Sequence, residues 1–257
     1  MQAIALAFES FGESQSGTPL LILHGFFASA RNWRSIAKQL AQQRQVFVLD
    51  MRNHGSSDHH VHMDYPAMAE DVRLFMDNQQ IDTADIIGHS MGGKIAMWFA
   101  LHYPQRLGKL IVVDISPVSY QHSFATTVAA LKNLPLHELG NRKQAEQHLA
   151  ALIPDLNYRQ FLLQNLVFEA GQYSWRVNLD FFADNAANIV AFPAQLSAQI
   201  YPLPVLFLAG ENSFYIRPDS IYQRFPNAEI KEIPGAGHWL HVDAPALFLQ
   251  LVSAWLA

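Results

Sequence analysis

Cysteine is absent from the 257 residues. That excludes disulfides, thiolate-bound metal sites and a cysteine nucleophile. It also suits a reducing compartment, so a cytoplasmic protein is the default expectation. No apolar stretch approaches the roughly 20 residues that a membrane-spanning helix needs, so stable membrane insertion is not expected. The start, Met1-Gln2-Ala3-Ile4-Ala5-Leu6-Ala7-Phe8-Glu9, lacks the basic flank of a secretory signal and meets an acid early, and it reads as a first strand. The 17 Lys and Arg form no run against 22 Asp and Glu, which argues against nucleic acid as a partner. With half the residues apolar, the chain is a folded one, long enough for one core and an insertion.

Short apolar runs alternate with helical patterns. Runs at 18–23, 45–50, 84–88, 110–114 and 205–209, and a weaker one at 228–233, read as strands. Helical spacing is found at 33–42, 65–78, 91–102, 219–225 and 244–256. Continuous apolar strands separated by helices predict an α/β fold with a mostly parallel sheet covered on both faces. The rhythm breaks between 116 and 199, where helical patterns at 123–132, 142–152, 156–168 and 181–190 occur without a buried strand. The chain is therefore expected to divide into a core, 1–115 and 200–257, and an inserted helical cap, 116–199. Such a cap would sit over the sheet's C-terminal edge, where open α/β sheets bind ligands.

Gly88-His89-Ser90-Met91-Gly92-Gly93 follows a strand and opens a helix. Serine on so sharp a turn has its hydroxyl exposed, small neighbours avoid clashes, and the helix start offers N–H groups to negative charge. Ser90 is thus a candidate nucleophile, and it needs a base. Of 12 histidines, His238 in Pro234-Gly235-Ala236-Gly237-His238-Trp239 falls between the last strand and the last helix, where a loop of small residues can carry it toward Ser90. His241 is the alternative; His89 is read as a packing neighbour. The His-rich stretch Asp58-His59-His60-Val61-His62-Met63-Asp64 is read as a polar loop, and neither metal nor cofactor is expected.

A carboxylate must orient the base, and in chain order it falls between Ser90 and His238. Asp114, ending a strand among apolar residues, is preferred over Glu211 in Ala209-Gly210-Glu211-Asn212-Ser213-Phe214. Asp243 is assigned to the first turn of the final helix. Backbone N–H donors aimed at the developing oxyanion, each worth about 2.7–4 kcal/mol, are expected from Met91 and from Phe26 in His24-Gly25-Phe26-Phe27. The side chains of Phe26 and Phe27 would wall an acyl pocket. Tyr120, Trp175, Phe181, Phe182, Phe214, Tyr215 and Trp239 are further candidates for that lining.

Together these residues resemble the α/β-hydrolase superfamily over nearly the whole chain. Asp50-Met51-Arg52-Asn53-His54-Gly55-Ser56-Ser57 resembles a loop that the superfamily carries. The stretches at 50–55, 65–69, 88–94, 114–118 and 235–238 are similar to the YbfF-type esterases. The resemblance implies a capped serine esterase acting on small acyl esters and extending to acyl-CoA thioesters, with Ser90 as nucleophile and His238 as base. Many superfamily members carry an aspartate where Ser213 stands, which shifts the acid toward Asp114. Carbon–carbon bond hydrolysis or perhydrolysis on the same three residues is the alternative, and a non-catalytic ligand-binding module a more distant one. Epoxide hydrolase and dehalogenase chemistry would need Asp at position 90. Neither the physiological substrate nor the oligomeric state is encoded in any of these motifs.

Overall fold

The computed structural model describes residues 2–12, 17–193 and 199–257. Met1 of the expected first strand and residues 194–198 of the expected cap lie outside them. The strands are β1 (Phe8–Phe11), β2 (Leu20–Leu23), β3 (Val46–Leu49), β4 (Ala84–His89), β5 (Leu107–Val113), β6 (Leu166–Glu169), β7 (Gln172–Trp175), β8 (Val205–Gly210) and β9 (Ala228–Ile233). Seven of them form one sheet in the order β1-β3-β2-β4-β5-β8-β9, parallel except for the edge strand β1. Alternate residues of the central strands feed opposite cores. Leu21, Leu23, Ile86, Val112 and Phe207 face one; Leu20, Ile22, Ile87, Val113 and Leu208 face the other. Burial on both faces explains the unbroken apolar runs.

Helices α1 (Arg34–Leu40), α2 (Tyr65–Asn78) and α3 (Met91–His102) alternate with the first strands. α8 (Pro218–Tyr222), α9 (Leu240–Asp243) and α10 (Pro245–Leu256) follow β8. Trp33, Ile36 and Leu40 meet Phe248, Val252 and Leu256 on one face; α2 and α3 cover the other. α2 begins where the Asp64 carboxylate accepts the Ala67 N–H (2.8 Å) and Pro66 stands in the first turn, both standard devices for starting a helix. Order reverses between β2 and β4, whose C-terminal ends lie side by side with Leu23 opposite Gly88. Loops leaving such a crevice are where this class of sheet places ligands.

Between β5 and β8 the chain forms α4 (Ala125–Lys132), α5 (Arg142–Leu149), α6 (Leu156–Leu163) and α7 (Leu179–Val190). Two expectations are corrected. The helix expected over 156–168 ends at Leu163, and β6 pairs with β7 as an antiparallel hairpin. Ala170 and Gly171 at its tip both have positive φ, 50° and 82°, the requirement of a tight two-residue turn. The strand expected at 1–9 begins only at Phe8, because β1 pairs with β3 over Phe8–Phe11 alone. Before it, Ile4 N–H donates to Asp71 and Ala7 N–H to Ser57, so side chains rather than a strand satisfy this stretch.

Candidate active site

Phe27 (62°), Ser90 (53°) and Asp114 (52°), none of them glycine, take positive φ at the C-terminal edge of the sheet. They leave β2, β4 and β5 respectively. Such backbone costs of the order of 1–3 kcal/mol each and persists only where the surroundings enforce it. At Ser90 the enforcement is visible. A Cβ on Gly92 would lie 2.1 Å from the Leu23 carbonyl oxygen, and one on Gly88 2.3 Å from that of Gly92, so only glycine permits the turn. Ser90 Oγ makes no hydrogen bond to any described residue, and it faces a cavity of about 770 Å³ that His238 also lines.

Asp114 is wholly buried and accepts three bonds. Gly210 N–H reaches Oδ1 at 3.1 Å; the Ser213 hydroxyl and His238 Nδ1 (2.6 Å) both reach Oδ2. A carboxylate so satisfied fixes the imidazole with Nδ1 as donor, which leaves Nε2 as acceptor. Glu211, the alternative acid, instead accepts from Gly235 N–H at 2.6 Å and has no bond to His238. Asp243 lies in the short helix α9 and not, as expected, in the first turn of the last helix, α10. It accepts from Gly237 N–H at 2.8 Å and so braces the loop that carries His238.

His89 and His241 are buried beside this loop. His89 Nε2 donates to the His238 carbonyl (2.8 Å), and burial holds its pKa well below the usual imidazole value. His241 stacks on Trp33 with ring centroids 4.0 Å apart, and burial pushes its pKa down to about 3. Neither is bonded to Asp114. The His-rich stretch is a loop: His60 pairs through its backbone with Asn53, and His59 reaches the Arg176 carbonyl. Asp64 at its end caps α2. Among the described residues no group of His, Asp and Glu has a metal-binding arrangement.

On the other side of Ser90, the turn after β2 brings Gly25 so close that a Cβ there would lie 3.3 Å from that of Ser90. The N–H groups of Phe26 and Met91 make no hydrogen bond to any described residue, unlike those of Phe27 and Ala28. Of the residues expected in the pocket, Phe26, Phe27, Tyr120, Tyr215 and Trp239 line the cavity. Phe214 does not: it is 81% exposed. Trp175, on the β-hairpin, packs half-buried against the core outside the lining. Phe182 is buried against Phe26, with centroids 4.5 Å apart, and neither it nor Phe181 reaches the cavity.

Sequence reasoning passed over Lys94. It lies four residues beyond Ser90 on α3, wholly buried, and lines the cavity. Its ammonium donates to the Val190 and Ala191 carbonyls (2.8 and 2.7 Å), and burial pushes its pKa down to about 7. The signal was a lone lysine in an otherwise apolar helix. Ser213, noted only as a departure, proves to donate its hydroxyl to Asp114.

The fold and this edge-of-sheet constellation define a hydrolase class. A family model described as the alpha/beta hydrolase fold matches residues 18–245, and the chain belongs to that family. The esterase YbfF of Escherichia coli (strain K12) is 34% identical over 94% of this chain and 94% of its own length. The sn-1-specific diacylglycerol lipase ABHD11 of Mus musculus is 39% identical over 93% of this chain and 80% of its own. A solved structure, a marine microorganism esterase, is 41% identical with a TM-score of 0.93, covering 99% of this chain and all of that one. The chain is accordingly an enzyme of the esterase and lipase branch of the family. No helix among the described residues is long and apolar enough to cross a membrane.

Proposed function

We propose that this enzyme hydrolyses carboxylic esters, and acyl-CoA thioesters with them, through an acyl-Ser90 intermediate. The observation that carries the reading is the Asp114–His238 pair, 2.6 Å apart, at the wall of the cavity that Ser90 faces. His238 Nε2 takes the Ser90 proton as Oγ attacks the carbonyl carbon. The resulting oxyanion is held by the unpaired N–H groups of Phe26 and Met91. His238 then returns the proton to the leaving alcohol or thiol, and water attacking the acyl-enzyme repeats the cycle. Asp114 orients the imidazole and balances its transient charge. The described part of residues 116–199 serves as the cap that closes the acyl pocket, which the phenyl rings of Phe26 and Phe27 wall.

Relatives named as an esterase and as a diacylglycerol lipase support ester substrates with an apolar acyl part. The cavity agrees, since aromatic and aliphatic side chains make up much of its lining. The test is a fluorophosphonate probe combined with acyl esters and acyl-CoA thioesters of graded length. Labelling at Ser90, lost together with turnover in Ser90→Ala, is the expected result. Undiminished ester turnover by Ser90→Ala would overturn the assignment.

A further inference from the structure

The loop at 50–57 has no part in the three-residue relay, yet His54 within it is wholly buried. Its Nδ1 donates to the Arg52 carbonyl (2.9 Å), since a carbonyl can only accept. Nε2 is then a lone-pair acceptor, and it receives the Phe27 N–H at 3.2 Å. The carbonyl of the same residue, Phe27, accepts from the Asn165 side-chain amide at 2.7 Å, and Asn165 is itself buried and also bonded to Leu162. Phe27 is the positive-φ residue next to the proposed oxyanion donor Phe26. Its N–H and its carbonyl are thus gripped from opposite sides, one by the 50–57 loop and one by the segment that links α6 to β6.

We infer that His54 and Asn165 are positioning residues for the oxyanion loop: by fixing both polar ends of Phe27 they aim the neighbouring Phe26 N–H at the carbonyl oxygen of the substrate. The inference rests on the acyl-serine reading above. Chemistry agrees with it. An uncharged imidazole is needed for Nε2 to accept, and burial among Phe26, Phe182 and His24 holds the His54 pKa well below its ordinary value. Gly55 beside it has φ 55°, and a Cβ there would lie 2.1 Å from the Asp50 carboxyl group, whose oxygens accept from Ala30 and Ser56 N–H. That packing fixes the loop on which His54 sits.

The experiment separates hydrogen bonding from ring packing. His54→Gln keeps an acceptor oxygen without the ring; His54→Phe keeps the ring without an acceptor. With a soluble p-nitrophenyl ester, His54→Phe is expected to lose roughly 10- to 100-fold in kcat with KM little changed, and His54→Gln to retain much more. Asn165→Leu, which removes the donor from the cap side, is expected to lose kcat in the same way. A boronic acid, which mimics the tetrahedral intermediate, should bind the impaired variants more weakly in proportion, while a product carboxylic acid binds them as it binds the parent. His54→Phe matching or exceeding His54→Gln, or kcat and KM falling together with melting temperature in all three variants, would overturn the inference. Ser90→Ala is run in parallel. If it stays active the acyl-serine reading has failed, whereas slowed but retained fluorophosphonate labelling of the His54 variants locates the defect in the loop.

Discussion

His238 Nδ1 and the Ser213 hydroxyl converge on one oxygen of Asp114, while Gly210 N–H holds the other. On the proposed mechanism this carboxylate sets the tautomer of the base. Asp114→Asn keeps the shape but lets an amide N–H face Nδ1, and it is expected to lower kcat by roughly 10³- to 10⁴-fold with little change in KM. Glu211→Gln, whose parent carboxylate braces Gly235, is expected to keep kcat within a few-fold. Steady-state ester hydrolysis by the two purified variants decides, and equal losses in both would sink the assignment.

Arg52 and Asp71 form an ion pair with both side chains wholly buried. Arg52 adds bonds to the carbonyls of His62 and Ala67. Removing one partner strands the other charge. Asp71→Asn is therefore expected to cost about 3–5 kcal/mol in urea unfolding. The double replacement Arg52→Met with Asp71→Leu is expected to recover a substantial part of that loss. If the single and double variants melt alike, the pair is not the source of the stability.

Acid should unfold the protein through its buried histidines. The unfolded chain binds a proton at His241 from about pH 6.5 downward, whereas the folded protein resists it until about 3 because of burial. Stability contributed by neutral His241 is thus present above pH 6.5 and lost as pH falls toward 3. His24, His54 and His89 are shifted in the same direction by burial. His241→Phe, which can keep the stack on Trp33, is expected to reduce the acid slope by up to about 1.4 kcal/mol per pH unit. Urea midpoints between about pH 4.5 and 6.5 measure it; an unchanged slope speaks against the burial of a neutral ring.

Lys94 works at the other end of the scale. Folded, it releases its proton near pH 7; unfolded, near 10.4. The unfolded chain binds more protons between those values, so this residue makes stability rise with pH across that window. Lys94→Met should abolish that rise and leave the Val190 and Ala191 carbonyls without their donor. The loss of the two bonds is expected to cost about 1–3 kcal/mol. Thermal melts near pH 6 and pH 9 read both effects, and a variant with the parent's pH dependence would refute the assignment.

Much of the architecture was legible because burial on both faces leaves strands as unbroken apolar runs, and because helical spacing marks α2 and α3. That Ser90, Asp114 and His238 lie at one edge of the sheet was legible because each follows a strand. The hairpin β6–β7 was not, since its turn uses Ala170 at positive φ where Asn or Asp is the usual cue. The pocket aromatics were divided by sequence only in name: nothing local distinguishes Tyr215, its ring tilted 35° to that of His238 with centroids 4.3 Å apart, from its exposed neighbour Phe214. Asn165 carried no local signal, because its partner Phe27 lies 138 residues away.

α7 is held along its length: midway, the Asn185 side-chain amide accepts from Met63 N–H and donates to the Val61 carbonyl. Its C-terminal end is tied down by Lys94, by the Tyr65 hydroxyl on the Ile189 carbonyl and by Tyr120 N–H on that of Val190. Across the cavity, which both also line, Asn32 and Gln164 meet through an exposed side-chain bond of 2.7 Å. An exposed side-chain bond of this kind opens to water more readily than the buried ones that hold α7 and Asn165. On the proposed reading, bulk added at Gln164, on the cavity wall, is expected to slow turnover of long acyl chains more than that of short ones.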